Sequence, residues 1–220
     1  MTAYDFSFCD TQLSALPTGL LWWPAQSLLC VSDLHLGKSE RTARLRGTLI
    51  PPYEVRDTLN RLSEAIRAYD PASVVCLGDS FDDLQALDGL TSADHKHLAS
   101  LMAGREWIWI EGNHDAGPVD IGGTHLREFT RGALTFRHIA EPAASAEVSG
   151  HFHPKASVRT RGGSITRRCF LIDARRIVLP SFGTYTGGLK TRDPALAGLM
   201  DEQAVAVLTG QAIAAVPMPR

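Results

Sequence analysis

The chain has 220 residues, of which 44% are hydrophobic and 21% charged, and a formal net charge of −2. That is an ordinary globular composition, long enough for one large core, and its charge balance does not announce a nucleic-acid binder; two bound divalent ions would bring the sum to +2. Cys9, Cys30, Cys76 and Cys169 stand far apart with no CxxC among them, which argues against a disulfide framework or a zinc knuckle. A basic-then-apolar signal pattern and an apolar run of transmembrane length are both missing, so the expectation is a soluble, cytoplasmic protein without a membrane partner, folded as one domain over residues 1–220.

In chain order, Leu20-Leu21-Trp22-Trp23-Pro24 reads as an edge strand stopped by a proline that cannot donate to a ladder. Its tryptophans are expected to cover the sheet. The run Ser27-Leu28-Leu29-Cys30-Val31 is short and uncharged, as a buried strand is. Asp33 and His35 follow where a loop begins, at the carboxyl end of that strand, which is where open α/β sheets place their ligands. Lys38, Arg41, Arg44 and Arg46 come next, on what reads as a loop passing into irregular structure, and Pro51-Pro52 interrupts any helix. Between Tyr53 and Tyr69, the spacing of Val55, Leu59, Leu62, Ala65 and Ile66 predicts an amphipathic crossover helix.

A second buried strand, Ser73-Val74-Val75-Cys76-Leu77, ends in Gly78-Asp79-Ser80-Phe81-Asp82, again a carboxylate at a strand end. Residues 92–103 predict a further helix, whose His95 and His97 do not face each other and read as solvated surface. Trp107-Ile108-Trp109-Ile110 has the aromatic and β-branched alternation of a strand and delivers Glu111-Gly112-Asn113-His114-Asp115. A strand over residues 133–137 delivers His138, and Glu147-Val148-Ser149 leads into Gly150-His151-Phe152-His153-Pro154. Strands follow at roughly 168–173, 176–180 and 204–208, with Ser181-Phe182-Gly183 and a Gly187-Gly188 turn between the last two. This order predicts an α/β fold whose second half forms its own, more mixed sheet.

Collected, the strand ends supply Asp33, His35, Asp79, Asn113, His114, His138, His151 and His153. Carboxylate, carboxamide and imidazole without thiolate suit divalent manganese, iron or zinc. Eight candidate groups are too many for one closed structural site and about right for two ions plus a catalytic histidine. Two such ions can clamp the oxygens of an in-line displacement, which is phosphoryl-ester chemistry.

In this order the motifs Asp33-x-His35, Gly78-Asp79-x-x-Asp82, Gly112-Asn113-His114-Asp115, His138 and Gly150-His151-x-His153 resemble the calcineurin-like metallophosphoesterases. The resemblance implies a β-sandwich of two mixed sheets flanked by helices, in four layers αββα. It also implies that Asp33, His35 and His153 hold one metal, that Asn113, His138 and His151 hold the second, and that Asp79 bridges them. His114 would sit over the substrate phosphate and protonate the leaving oxygen, with Asp82 orienting it. The chain departs from the family pattern where His138 lacks a neighbouring glycine and where Asp115 stands in place of the more usual Glu.

Fold and metals leave the substrate open. The motif Asp33-Leu34-His35-Leu36-Gly37-Lys38, the arginines after it, His138 before Glu141-Pro142, and Leu179-Pro180-x-Phe182-Gly183 are similar to a bacterial, ligase-associated DNA-damage endonuclease subgroup of that family. That likeness implies two manganese ions, a DNA substrate (single-stranded or nicked), and association with a DNA ligase, a helicase and an exonuclease-like repair protein. Lys38, Arg41, Arg44 and Arg46 after the first metal loop, and Arg159, Arg161, Arg167 and Arg168 after the last, could position phosphates or be solvated faces. A small-molecule or phosphoprotein substrate is the first rival reading, and a non-catalytic scaffold the second.

Overall fold

The computed structural model describes residues 2–117, 120–160 and 162–220, with only the main chain described at residue 160. Strands β1 (Tyr4–Phe8), β2 (Thr11–Ala15), β3 (Leu21–Trp23), β4 (Leu28–Val31), β5 (Ser73–Cys76), β6 (Glu106–Ile110) and β7 (Thr124–Leu126) form one sheet in sequence order. The first three pairings are antiparallel and the last three parallel. Parallel neighbours need crossovers. Helices α1 (Lys38–Arg46) and α2 (Glu54–Tyr69) supply the first, and α3 (Leu84–Asp88) and α4 (Ser92–Met102) the second. Because β4, β5 and β6 run the same way, their carboxyl ends, and the loops with Asp33, Asp79 and Asn113, share one edge of the sheet.

The second sheet is built from β8 (Glu128–Arg131), β9 (Leu134–Arg137), β10 (Glu147–Ser149), β12 (Gly163–Ile172), β13 (Arg176–Val178), β14 (Val205–Leu208) and β15 (Ala214–Pro217). Its order is β15-β14-β12-β13-β10-β9-β8, and β11 (Lys155–Thr160) lies off this path, paired with β12. β9, β10 and β13 are parallel, so His138, the 150–154 loop and the 181–183 loop also leave from one end.

Side-chain alternation sorts the core. Leu28 and Cys30 of β4 point into a cluster shared by both sheets, with Val75, Ile108, Phe136, Val148, Phe170, Ile177 and Val207. Leu29 and Val31 point to the other face, where Leu59, Leu62, Ala65 and Ile66 of α2 and Leu98 and Leu101 of α4 cover them. The outer face of the second sheet buries Cys169, Leu171 and Ala206 beneath Leu196 of α5 (Pro194–Leu199). The layers are therefore helix, sheet, sheet, helix. Residues buried on both faces of a strand leave no polar alternation, which is why these runs are uniformly apolar.

Two sequence expectations are corrected. β3 is not an edge strand: it lies between β2 and β4, and Pro24 falls after it, in a 3-10 turn over Pro24–Gln26. Residues 38–46 are helical, not a loop, yet α1 buries none of its residues. It has no apolar stripe to read; Glu54 holds its first turn by accepting from the Ser39 main-chain N (2.9 Å) and hydroxyl (2.6 Å). No helix among the described residues is long and apolar enough to cross a membrane.

Candidate metal centre

Five of the candidate ligands hold the backbone in the left-handed region: Asp33 (φ 55°), His35 (45°), Asp79 (46°), His151 (67°) and His153 (48°). Such a conformation costs an L-residue about 1–3 kcal/mol and persists only where the surroundings over-determine it. Here the loops cross-brace one another. His35 N donates to Asp79 O (2.9 Å), Leu36 N to Ser80 O (2.9 Å), Phe182 N to Ser32 O (2.8 Å) and Gly183 N to Asp33 O (3.0 Å). The fit is tight enough that a Cβ on Gly112 would run into Asp79, and one on Gly150 into the Ser32 hydroxyl.

The side chains converge as lone-pair donors. His35 Nδ1 donates to Asp82 Oδ1 (2.8 Å), which leaves Nε2 bare, 3.4 Å from His153 Nε2 and 3.8 Å from Asp79 Oδ2. Asp33 Oδ1 is buried without a hydrogen bond, 3.0 Å from His153 Nε2. On the other side His138 Nδ1 donates to Leu77 O (2.7 Å). Its bare Nε2 faces Asn113 Oδ1 (3.0 Å), His151 Nδ1 (3.2 Å) and Asp79 Oδ1 (3.4 Å). The ligand atoms of Asp33, His35 and His153, and those of Asp79, His138 and His151, each lie within 4.8 Å of one another. Crowded acceptors of this kind repel unless a cation sits among them, and the orphaned Asp33 oxygen is one such acceptor. The donor set, nitrogen and oxygen without sulfur, fits a divalent ion of the manganese, iron or zinc type.

Electrostatics point the same way. Burial works against ionising Asp33 and Asp79, but the imidazoles beside them, His153 and His138 respectively, outweigh it and hold both carboxyls below the usual range. Burial also opposes the His138 cation, yet Asp79 and Asp33 raise its pKa, while burial and the His138 charge lower that of His151. A positive charge is wanted where these rings meet.

His114 and Asp82 are arranged differently from the sequence expectation. The ring of His114 is held by the Asp82 main-chain oxygen, to which Nδ1 donates (2.8 Å), and not by the Asp82 carboxylate. That carboxylate binds His35 and takes Lys38 Nζ (3.0 Å) and Arg41 (3.2 Å). Arg44 pairs with Glu40 and Asp83, leaving Arg46 exposed and without an ion pair among the described residues. Lys38 and Arg41 thus serve first to fix the acid that fixes His35, an outer contact of the sort that orients metal ligands.

Two supports went unread in the sequence. The Asp115 carboxylate accepts from the main-chain N of Gly112 (2.9 Å), Asp79 (3.1 Å), Ser80 (2.7 Å) and Phe81 (3.1 Å), stapling the second motif to the third. Arg168, for which the sequence left open a phosphate-positioning group or a solvated face, is turned inward. It donates to Ser181 O (3.0 Å), Gly183 O (3.0 Å) and Thr186 Oγ1 (2.9 Å), bracing the loop that grips Asp33. An arginine bound to carbonyls leaves no spacing signal, so only the fold exposes this role. Tyr185 packs against Tyr53 with ring centroids 5.7 Å apart, and Arg161 lies outside the described residues.

Residues 27–175 match the family model described as calcineurin-like phosphoesterase, a span that holds every candidate ligand. The chain belongs to the calcineurin-like phosphoesterase family. It is a metal-dependent phosphoesterase with the two-sheet fold just described. Among solved structures, this phosphoesterase is similar to the crystal structure of the Pseudomonas putida nuclease MPE, with a TM-score of 0.76 and 23% identity over 98% of this chain and 100% of that one. At that identity the likeness speaks for the fold. No curated protein sequence matches the chain.

Proposed function

We propose that this phosphoesterase is a two-metal phosphodiesterase acting on nucleic-acid strands. The observation that carries the reading is that the two oxygens of Asp79 face opposite groups, Oδ2 towards His35 and Oδ1 towards His138. Asp33, His35 and His153 would hold one ion, Asn113, His138 and His151 the other, and Asp79 both. Two divalent ions, manganese in our reading, would supply Lewis-acid polarisation of the phosphoryl group and an acidified water.

The chain's own groups do the rest. With Nδ1 given to the Asp82 carbonyl, His114 presents Nε2 at the mouth of the cluster, 3.9 Å from Asp79 Oδ2, on a side chain 28% exposed. A proton held at Nε2 can neutralise charge on the phosphate and pass to the leaving oxygen. Next to Asn113 and His138 lies a cleft of about 600 Å³, lined also by Ile139 and by Arg127 and Arg137 paired with Glu111, Glu128 and Glu141, with room for the group flanking the scissile phosphate. The Pseudomonas putida protein of the same fold is named a nuclease, which supports a nucleic-acid diester over a phosphoprotein or free nucleotide.

The test is metal content together with hydrolysis of bis-p-nitrophenyl phosphate and of a labelled single-stranded DNA, with manganese. We expect about two equivalents of metal per chain. His114→Ala should keep them while losing about 10²–10⁴-fold in kcat. A single equivalent, or an active His114→Ala protein, would sink the mechanism. Cleavage of the small diester alone would move the substrate to a small molecule or a protein.

A further inference from the structure

Between Glu147 and Asp173 the sequence contains no carboxylate but five cations, Lys155, Arg159, Arg161, Arg167 and Arg168, in a chain whose net charge is −2. This stretch forms the β11–β12 hairpin, an antiparallel ribbon that begins two residues after His153. In an antiparallel pair, residues directly opposite share a face. Lys155 is paired with Arg168, Ser157 with Thr166 and Arg159 with Ser164. One face of the ribbon therefore carries cations and hydroxyls only.

Three observations distinguish this face from an ordinary solvated surface. Its base is part of the metal-centre scaffold, since Arg168 braces Ser181–Gly183, whose amides at Phe182 and Gly183 hold Ser32 and Asp33. Its outward cations are free: neither Lys155 nor Arg159 makes a side-chain ion pair or hydrogen bond among the described residues, and the exposed Lys190 runs alongside, its main chain bridged to Lys155. Its hydroxyls are already arranged as a ladder, with Ser157 and Thr166 hydrogen-bonded at 2.8 Å. The opposite face is of another kind. It places Ala156 and Val158 against the outer core and carries Arg167.

We propose that the Lys155–Arg159 face of this hairpin is a binding track for the sugar–phosphate backbone of a nucleic-acid strand leading out of the metal centre, a proposal that rests on the nucleic-acid reading above. Lys155 and Arg159 lie about 14 Å apart along the strand, so they meet separate phosphates of one chain, while Ser157, Thr166 and Ser164 can donate to phosphate oxygens between them. Phosphate contacts of this type fix register and carry affinity without reading bases. The track would let an otherwise anionic protein hold a polyanion, and would orient the strand across the metals.

The experiment compares wild type, Lys155→Ala/Arg159→Ala and the opposite-face control Arg167→Ala, all manganese-loaded. Binding of a fluorescein-labelled single-stranded oligothymidylate is followed by anisotropy across salt concentrations. Cleavage of that oligonucleotide is measured beside cleavage of bis-p-nitrophenyl phosphate, which has no strand to lay along the hairpin. In the double variant we expect affinity to fall by about tenfold or more at 0.1 M salt, and the slope of log K against log salt to flatten by about 1.4. The ratio of oligonucleotide to small-diester cleavage should fall in step, with Arg167→Ala changing affinity less than about threefold. A double variant with the wild-type ratio and slope would overturn the track while leaving the nuclease reading intact, as would an equal loss in Arg167→Ala. A wild type that cleaves the small diester but neither binds nor cleaves the oligonucleotide would overturn both.

Discussion

Asp115 makes no contact with a candidate metal group through its side chain, yet it decides where Asp79 stands. Its two oxygens take four main-chain N–H groups from two different loops. Burial and the charge of Asp79 push its carboxyl above the usual range, the amides only partly offsetting them. The group is therefore held at an electrostatic cost by the loops that need it. Asp115→Ala would strand these amides where water reaches poorly, and each buried polar group so orphaned costs about 1–3 kcal/mol. We predict a loss of about 3 kcal/mol or more in urea unfolding of the metal-free protein, with weaker metal binding as well. A loss below about 1 kcal/mol would mean that the loops hold each other unaided.

Among the elements, β12 does two jobs at once. Phe170 fills the core between the sheets, and Arg168, two residues earlier on the same face, reaches the 181–186 loop. From the opposite side, Arg61 of α2 lies 4.5 Å over the Phe182 ring and donates to Phe182 O (2.9 Å). A strand and a helix thus clamp the loop whose Gly183 amide holds the main chain of Asp33. Arg168→Met keeps the length of the stem but removes the donors. Competition with a chelator should show metal affinity lowered about 10–100-fold, the effect of losing an outer support of a ligand, with Arg168→Lys restoring part of it. Unchanged affinity would show that Arg61 and the Gly183 amide suffice.

Over the whole molecule, the two sheets meet through the apolar cluster and through a polar clamp at the end remote from the metal loops. Glu106 at the start of β6 takes the hydroxyl of Ser73 (2.6 Å) and Arg131 of β8 (2.7 Å), joining one sheet to the other. The Ser73 hydroxyl and then Arg131 hold the Glu106 carboxyl below its ordinary value, with partial burial opposing them. A lowered folded-state pKa means that the unfolded chain takes up the proton first. The clamp's stabilisation is complete above pH 4.5, the ordinary value, and drains away as the pH falls through the lowered one. Because the Glu106 side chain is 46% exposed, screening limits the contribution to about 0.5–1 kcal/mol. Glu106→Gln should lose that much near neutrality and flatten the acid limb of stability against pH; an acid limb identical to wild type would assign it to other carboxylates.

The order of Asp33-x-His35, Gly78-Asp79, Gly112-Asn113-His114, His138 and His151-x-His153 was legible in the chain itself, because each ligand sits one to four residues beyond a strand, and the strands before the first three motifs, β4, β5 and β6, are buried on both faces. These three strands are almost wholly apolar, and the polar residues past them lie at a sheet edge. The donor chemistry follows from that placement, whereas the family and the layers came from the resemblance of the ordered motifs to the calcineurin-like phosphoesterases. What the tertiary structure alone decided are the contacts made across long separations by groups with no period: Asp115 on the Asp79 loop, Arg168 on the Ser181–Gly183 carbonyls, the Asp82 carboxylate on His35 in place of His114. It also decided that α1 is a helix although it buries nothing, and that β3 is interior although proline follows it. Hydrophobic burial writes a repeating pattern into a sequence, whereas a single hydrogen bond between distant loops writes none.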